Sequence, residues 1–178
     1  MNAIVCVDEN WGIGKDGSLL FSIPDDMKHF VEMTKNNIIV IGRKTLESFK
    51  NKKPLKNRLN IVLTKDKNLY KNYTKFDDIV FAFDKSEVYS ILSDLTHKFP
   101  KYANAMSIVC GGDSIYKLFL DDCDEIYVTK MFKSFEADTY FPNLDDNSNY
   151  KIINESKILE YEGIKYQFLT YKNEKKRN

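Results

Sequence analysis

The 178-residue sequence is defined first by what it lacks. It has three cysteines, Cys6, Cys110 and Cys123, an odd number at no metal-ligand spacing. Neither a disulfide framework nor a zinc site is expected from them. Cys6 and Cys110 lie inside apolar runs and read as buried thiols in a reducing compartment. Long apolar runs are missing too. The first, "AIVCV", ends at Asp8, too short for a signal segment or a membrane span, so a cytoplasmic protein without membrane contact is expected. There is no excess of charge: 27 Lys and Arg against 26 Asp and Glu leave a net charge of +1. No overall field attracts nucleic acid, and a charged ligand must be met by a local cluster. Internal repeats and long low-complexity tracts are absent as well.

What is present fits one folded domain over residues 1–178, with the last six residues, "NEKKRN", frayed. The 43% of hydrophobic residues argues against disorder. Short runs rich in Ile, Val, Phe and Tyr predict strands over 2–7, 37–41, 59–63, 79–83, 107–110, 125–131 and 165–171. Helical patterns fall over 25–35, 43–49, 86–98 and 114–120. Strand and helix alternate until the end, where strands follow one another. The expectation is a three-layer α/β fold: a mixed, mostly parallel eight-stranded sheet, flanked by helices and closed by an antiparallel C-terminal strand. Ligands of such sheets bind beyond the carboxyl ends of the strands.

Four stretches there carry chemistry. "GIGKDG", Gly12 to Gly17, matches a dinucleotide fingerprint in letters only. No helix follows at once, and the next strand ends in the basic "GRKT" where an acid is required. The glycines read instead as a mobile loop beside a site. "NIIVIGRKTLESF" is a strand, a turn at Gly42 and a helix opening with Arg43, Lys44 and Thr45. Cations at a helix N-terminus suggest an external anion, although a solvated turn fits the same residues. "LNIVLTK" places Leu63, Thr64 and Lys65 at a neighbouring strand end. "SIVCGGDSIYKLF" places Gly111, Gly112, Asp113 and Ser114 at another, where the backbone can approach a ligand closely. Together they point to a dinucleotide across the sheet edge. Basic residues where an NAD site carries an acid favour NADP.

A fifth stretch, "FSIPDDMKHF", pairs two acids. On a helix of about 100° per residue, Asp26 falls inside the apolar arc from Met33 through Phe30, Thr34 and Met27 to Val31. Asp25 falls with Glu32 and His29 on the polar side. Asp25 therefore reads as an exposed acid complementing the helix dipole. Asp26 reads either as a satisfied structural carboxylate or as a ligand contact suited to a planar two-donor group.

With "NWGIGKDGSLLFSIPDDM", "VIGRKTLES", "PLKNRLNIVLT", "CGGDSIYKLFL" and "IYVTK" followed by "EADTYFP", the chain resembles dihydrofolate reductase from Ala3 to Tyr171. The resemblance implies NADPH-dependent reduction of 7,8-dihydrofolate to tetrahydrofolate, supporting one-carbon metabolism, by a monomer. Asp26 would accept two hydrogen bonds from the pteridine, and Thr129 would support it. Ile4, Val5, Met27, Phe30, Ser48, Phe49, Leu55 and Cys110 would line the pteridine and benzoyl group. Arg58 would pair with the carboxylate of the glutamate tail. Cys6, Ile13, Gly14, Lys15, Asp16, Gly17, Ser18 and Leu19 would border nicotinamide. Gly42, Arg43, Lys44, Thr45, Leu63, Thr64 and Lys65 would hold the phosphates and adenosine, and Gly111 to Tyr116, with Ile115 between, would cover the pyrophosphate. The Gly111–Gly112 bond would be cis. The chain departs from the family pattern at Phe21, where the usual tryptophan carries an N–H donor that phenylalanine lacks. Two rivals remain: a pyrimidine reductase of riboflavin synthesis on the same fold, and a catalytically silent NADP-binding module. Asp26, Arg58 and "EADTYFP" argue against the first, and the Asp26 carboxylate argues against the second.

Overall fold

The computed structural model describes residues 1–175. The chain opens with β1 (Asn2–Val7), a hairpin of β2 (Gly12–Lys15) and β3 (Ser18–Leu19), and α1 (Pro24–Thr34). β4 (Ile38–Gly42) leads into α2 (Arg43–Ser48), followed by β5 (Leu59–Leu63) and β6 (Ile79–Ala82). Next come α3 (Lys85–Ser93), α4 (Leu95–Lys98), β7 (Ser107–Gly111), α5 (Asp113–Phe119) and β8 (Glu125–Met131). The chain ends with β9 (Thr139–Tyr140), β10 (Tyr150–Glu155), β11 (Leu159–Tyr161) and β12 (Ile164–Asn173).

Eight strands run in the order β10-β12-β8-β1-β7-β4-β5-β6, and β11 adds a ninth by pairing with β12. The pairs from β8 through β6 are parallel, while β12 runs antiparallel to β8, β10 and β11. This is the expected mixed sheet with its antiparallel C-terminal strand. β4 shows why "IIVI" is continuously apolar. Ile38 and Val40 pack on one face of the sheet with Val88 of α3 and Phe119 of α5, and Ile39 and Ile41 pack on the other with Leu46 of α2. All four are 0% exposed. Each such side chain contributes about 2 kcal/mol relative to exposure.

Several expectations need correction. The predicted helix over 86–98 is two helices, because Asp94 leaves the helical region at φ −113° and ψ 21°. Its carboxylate turns to His97 and Lys98 instead, at 2.9 and 3.2 Å. The glycine loop at 12–17 is a paired hairpin. Asp16 (φ 52°) and Gly17 (φ 77°) supply the two left-handed positions of a type I′ turn, and β2 also pairs with β9 in a separate three-stranded sheet. The chain is not frayed from Asn173. That side chain donates to the Asp121 and Cys123 carbonyls, and Lys175 pairs with Asp121 at 2.7 Å. The rest of the predicted frayed tail, 176–178, lies outside the described residues. No disulfide joins the cysteines among the described residues. Cys123 is buried, but Cys6 and Cys110 are only half-buried, because they stand near the carboxyl ends of β1 and β7.

Candidate active site

α1 begins without a capping side chain: Ile23 is its N-cap and Pro24 its first residue. The first turn then presents Asp25 and Asp26 in different directions. Asp26 is half-buried, and its pKa is raised, chiefly by burial, against a smaller lowering from the Thr129 hydroxyl and from His29. Thr129 stands on β8 opposite Cys6 of β1. Its Oγ1 is buried and outside hydrogen-bonding geometry with any described group, yet close enough to Asp26 to favour the ionised form. The Cys6 thiol and the Tyr116 phenol both sense the Asp26 charge, and burial pushes both pKa values up. Tyr116 donates to the Ile4 carbonyl at 2.7 Å, which ties α5 to β1. Four elements thus converge on one carboxylate.

Asp25 differs from the sequence reading. Its residue is exposed, but Oδ2 accepts a 2.7 Å hydrogen bond from the buried Tyr166 hydroxyl on β12. The apolar arc is also not closed. Met27 is 45% exposed and Val31 42%, so the described residues cover that side of α1 only in part. Phe30 and Met33 are half-buried, and Thr34 is fully buried.

Arg58 is 7% exposed, and burial lowers its pKa. Nε donates to Thr34 Oγ1 at 2.8 Å, and one terminal nitrogen donates to the Lys56 carbonyl at 2.7 Å. Thr34 in turn donates to the Phe30 carbonyl at 2.6 Å. No carboxylate among the described residues pairs with Arg58, so a desolvated guanidinium stands ready for an anion from outside. Asn60 holds the segment before Arg58. It accepts from the Leu55 N–H and donates to the Leu55, Arg58 and Asp78 carbonyls. Sequence reasoning missed the roles of Thr34 and Asn60. The signal for Asn60 was a polar residue inside the buried run "LNIVL".

At the next strand ends, Thr45 of α2 faces Gly111 and Gly112. The Gly111–Gly112 bond is cis, and Gly111 has φ 126°. A Cβ at Gly111 would stand 3.4 Å from Thr45 Oγ1, an ordinary contact, so it is the positive φ that favours glycine here. The N–H groups of Ile115 and Tyr116 bond back to the Gly112 carbonyl, which leaves those of Asp113 and Ser114 at the open end of α5. Ile115 and Tyr116 belong to the core, and their side chains are 5% exposed. The Arg43 cation is already paired, both Glu47 oxygens lying 2.8 Å from one guanidinium nitrogen. Lys44 and Lys65 are exposed, and buried Thr64 accepts from the Asp66 N–H at 3.1 Å. The free N–H groups, hydroxyl and lysines suit a phosphate-bearing dinucleotide along the ends of β7, β4 and β5.

The remaining predicted residues are placed as follows. Ile4 and Val5 are buried in β1. Phe49, Leu55 and Cys110 pack against the core formed by Ile39, Ile41 and Leu46, and the Ser48 hydroxyl turns back to the Thr45 carbonyl at 2.7 Å. Gly42 caps α2, and Leu63 ends β5 half-buried. In the hairpin, Ile13 is half-buried, Gly14 buried, and Gly17, Ser18 and Leu19 exposed. Lys15 pairs with Glu136 at 2.6 Å, and Asp16 N–H donates to Asp138 at 2.8 Å. Asp8 anchors this hairpin and was not foreseen. It is 0% exposed and accepts from the N–H groups of Asn10, Gly12 and Phe135 at 2.7–2.9 Å. Phe21 stacks on Phe135 with centroids 6.0 Å apart. A cavity of about 420 Å³ lined by Met1, Tyr89, Leu92, Ser107 and Asp122 lies at the opposite, amino ends of β1 and β7, away from this chemistry.

Residues 1–173 match the family model described as dihydrofolate reductase. The dihydrofolate reductase of Sus scrofa is 34% identical over 187 residues, covering 96% of each chain. That of Buchnera aphidicola is 35% identical over 177 residues, covering 99% of this chain and 98% of the relative. A solved dihydrofolate reductase from Enterococcus faecalis, complexed with NADP(H) and RAB-propyl, superposes with a TM-score of 0.77 at 28% identity, over 97% of this chain and 95% of that one. The chain belongs to the dihydrofolate reductase family.

Proposed function

We propose that this protein catalyses NADPH-dependent reduction of 7,8-dihydrofolate to 5,6,7,8-tetrahydrofolate, with hydride added at C6 and a proton at N5. The observation that carries the site assignment is Asp26, a desolvated carboxylate beside the buried Thr129 hydroxyl near the carboxyl end of β1. When bound, NADPH supplies the hydride. Thr45, Lys44, Lys65 and the Asp113 and Ser114 N–H groups hold its phosphates, and the 13–19 hairpin borders the nicotinamide. Asp26 accepts two hydrogen bonds from the 2-amino group and the neighbouring ring nitrogen of the pteridine, a paired geometry that a carboxylate matches. Thr129 Oγ1, without a hydrogen-bond partner among the described residues, supports the same contact. The polarised ring takes its N5 proton from water. Met27 and Val31, uncovered on α1, are the apolar surface that the pteridine and benzoyl groups cover, with Phe30, Phe49 and Leu55 alongside. Arg58, presented by Thr34, takes the tail carboxylate. We place the protein in the cytoplasm as a monomer; its three free cysteines support the reducing compartment.

Asp26→Asn tests the assignment. The variant is expected to fold and to bind NADPH as the wild type does, while kcat at neutral pH falls by about 100-fold or more. Near-normal turnover in the purified variant would remove Asp26 from the reaction.

A further inference from the structure

The polar side of α1 is not solvated in the way its composition suggests. Tyr166 is 1% exposed and gives its hydroxyl to Asp25 at 2.7 Å. Two residues along β12, Phe168 packs edge-on against Tyr166 and takes the His29 ring at 4.9 Å. Phe168 lies in register with Thr129 of β8, the residue beside Asp26. Asp25 and Asp26 are therefore held by neighbouring strands, one by a phenol and the other beside a hydroxyl. On a helix, a residue fixed in direction sets the direction of the next. α1 has no side-chain cap at Ile23 to fix its start otherwise.

We propose that Asp25 is a positioning residue for the reduction: held by the Tyr166 hydroxyl, it sets the rotation of α1 that aims Asp26 at Thr129. The inference rests on the function proposed above, but it concerns groups that do not touch the substrate. A buried phenol has a strong need for an acceptor, and an ionised acceptor gives the shorter and more directional bond. The Tyr166 pKa is pushed up to about 12, first by burial and then by this bond, so the phenol remains a donor at any working pH. Without it, the start of α1 keeps the packing of Ile23 and His29, while the buried Thr34, bonded to Arg58, holds the far end of the helix. The groups that interact with Asp26 are His29 on its own helix, Thr129 on β8, Cys6 on β1, Tyr116 on α5 and Tyr166 on β12. Of these, Thr129 gives the largest support to the charged form. A turned helix loses that support first, and the Asp26 pKa then rises further.

The test compares Tyr166→Phe, Asp25→Ala, their double variant and Asp25→Asn, which keeps an acceptor. Tyr166→Phe and Asp25→Ala are each expected to lower kcat/KM for dihydrofolate about tenfold, since small misplacement of a reacting group costs that much. The double variant should lose no more than either alone. Asp25→Asn should stay within about threefold, and NADPH affinity within about twofold throughout. Titration of a carbon-13-labelled Asp26 carboxyl in the free enzyme should shift upward in Tyr166→Phe, a readout that needs no turnover. An inactive wild type would refute the proposed function, while the titration would still judge the clamp. Unchanged kcat/KM with an unchanged Asp26 titration would overturn the inference. So would losses that multiply in the double variant, or an NADPH affinity that falls in step. If Tyr166→Phe does not fold, Asp25→Ala against Asp25→Asn decides by the same two readouts.

Discussion

Thr34→Val isolates the support of the buried arginine. Valine keeps the shape of threonine and removes one oxygen. That oxygen accepts from Arg58 Nε at 2.8 Å and donates to the Phe30 carbonyl at 2.6 Å, at a residue that is 0% exposed. The Phe30 carbonyl keeps its place in the helix ladder, so the main loss is a buried, charged N–H left without an acceptor. Such a bond is worth about 2–3 kcal/mol. In a chain of this length that lowers Tm by roughly 5–10 °C. Arg58 then holds only the Lys56 carbonyl, and its guanidinium can swing away from the tail carboxylate. KM for dihydrofolate is expected to rise about three- to tenfold with kcat nearly unchanged, the pattern of lost uniform binding. Arg58→Ala sets the upper limit of the same effect. Differential scanning calorimetry and steady-state kinetics on the purified variants measure both quantities. An unchanged Tm would show that the hydroxyl is not the structural acceptor. A fall in kcat at constant KM would show that Arg58 acts on the reacting ring rather than on the tail.

Asp26→Asn should also be more stable than the wild type at neutral pH. Burial raises the Asp26 pKa, so the unfolded chain releases this proton at lower pH than the folded one. The unfolded state then binds fewer protons, and stability falls as pH rises from the ordinary carboxylate pKa through the raised folded value. The variant escapes that loss. Its Tm should exceed the wild type's at pH 7 and approach it near pH 3, and an advantage that is independent of pH would contradict the argument. Gly111→Ala should cost about 1–3 kcal/mol, because alanine rarely adopts φ 126°; its methyl group would lie in contact with Thr45, where the dinucleotide is placed. NADPH affinity, followed by fluorescence titration, should fall with it, and unaltered affinity would place the dinucleotide elsewhere.

The strands buried on both faces were legible because their chemistry is local. β1, β5 and β8 run over 2–7, 59–63 and 125–131, as their apolar runs predict. β10 and β11 were not legible. "YKIINE" exposes Ile152 and Ile153, and its pairing is decided by β12 rather than by any period of its own. The hairpin of β2 and β3 hid behind a motif that looked like a phosphate loop, although "DG" is also a type I′ turn signal. The helix wheel put Asp26 on the inner side and Asp25 on the outer side, which agrees with their burial. It could not show the Tyr166 bond, which spans 141 residues. It also took Met27 and Val31 for core, since an apolar arc reads the same whether protein or ligand covers it. Thr34 and Arg58, 24 residues apart, raise the same difficulty: a contact between buried polar groups has no period.

The central claim is tested most directly by following NADPH absorbance with purified protein and 7,8-dihydrofolate, beside a parallel reaction with NADH. Rapid oxidation of NADPH that requires dihydrofolate and yields tetrahydrofolate, with much slower use of NADH, is the predicted result. Absence of dihydrofolate-dependent oxidation in folded protein that binds NADPH would contradict it.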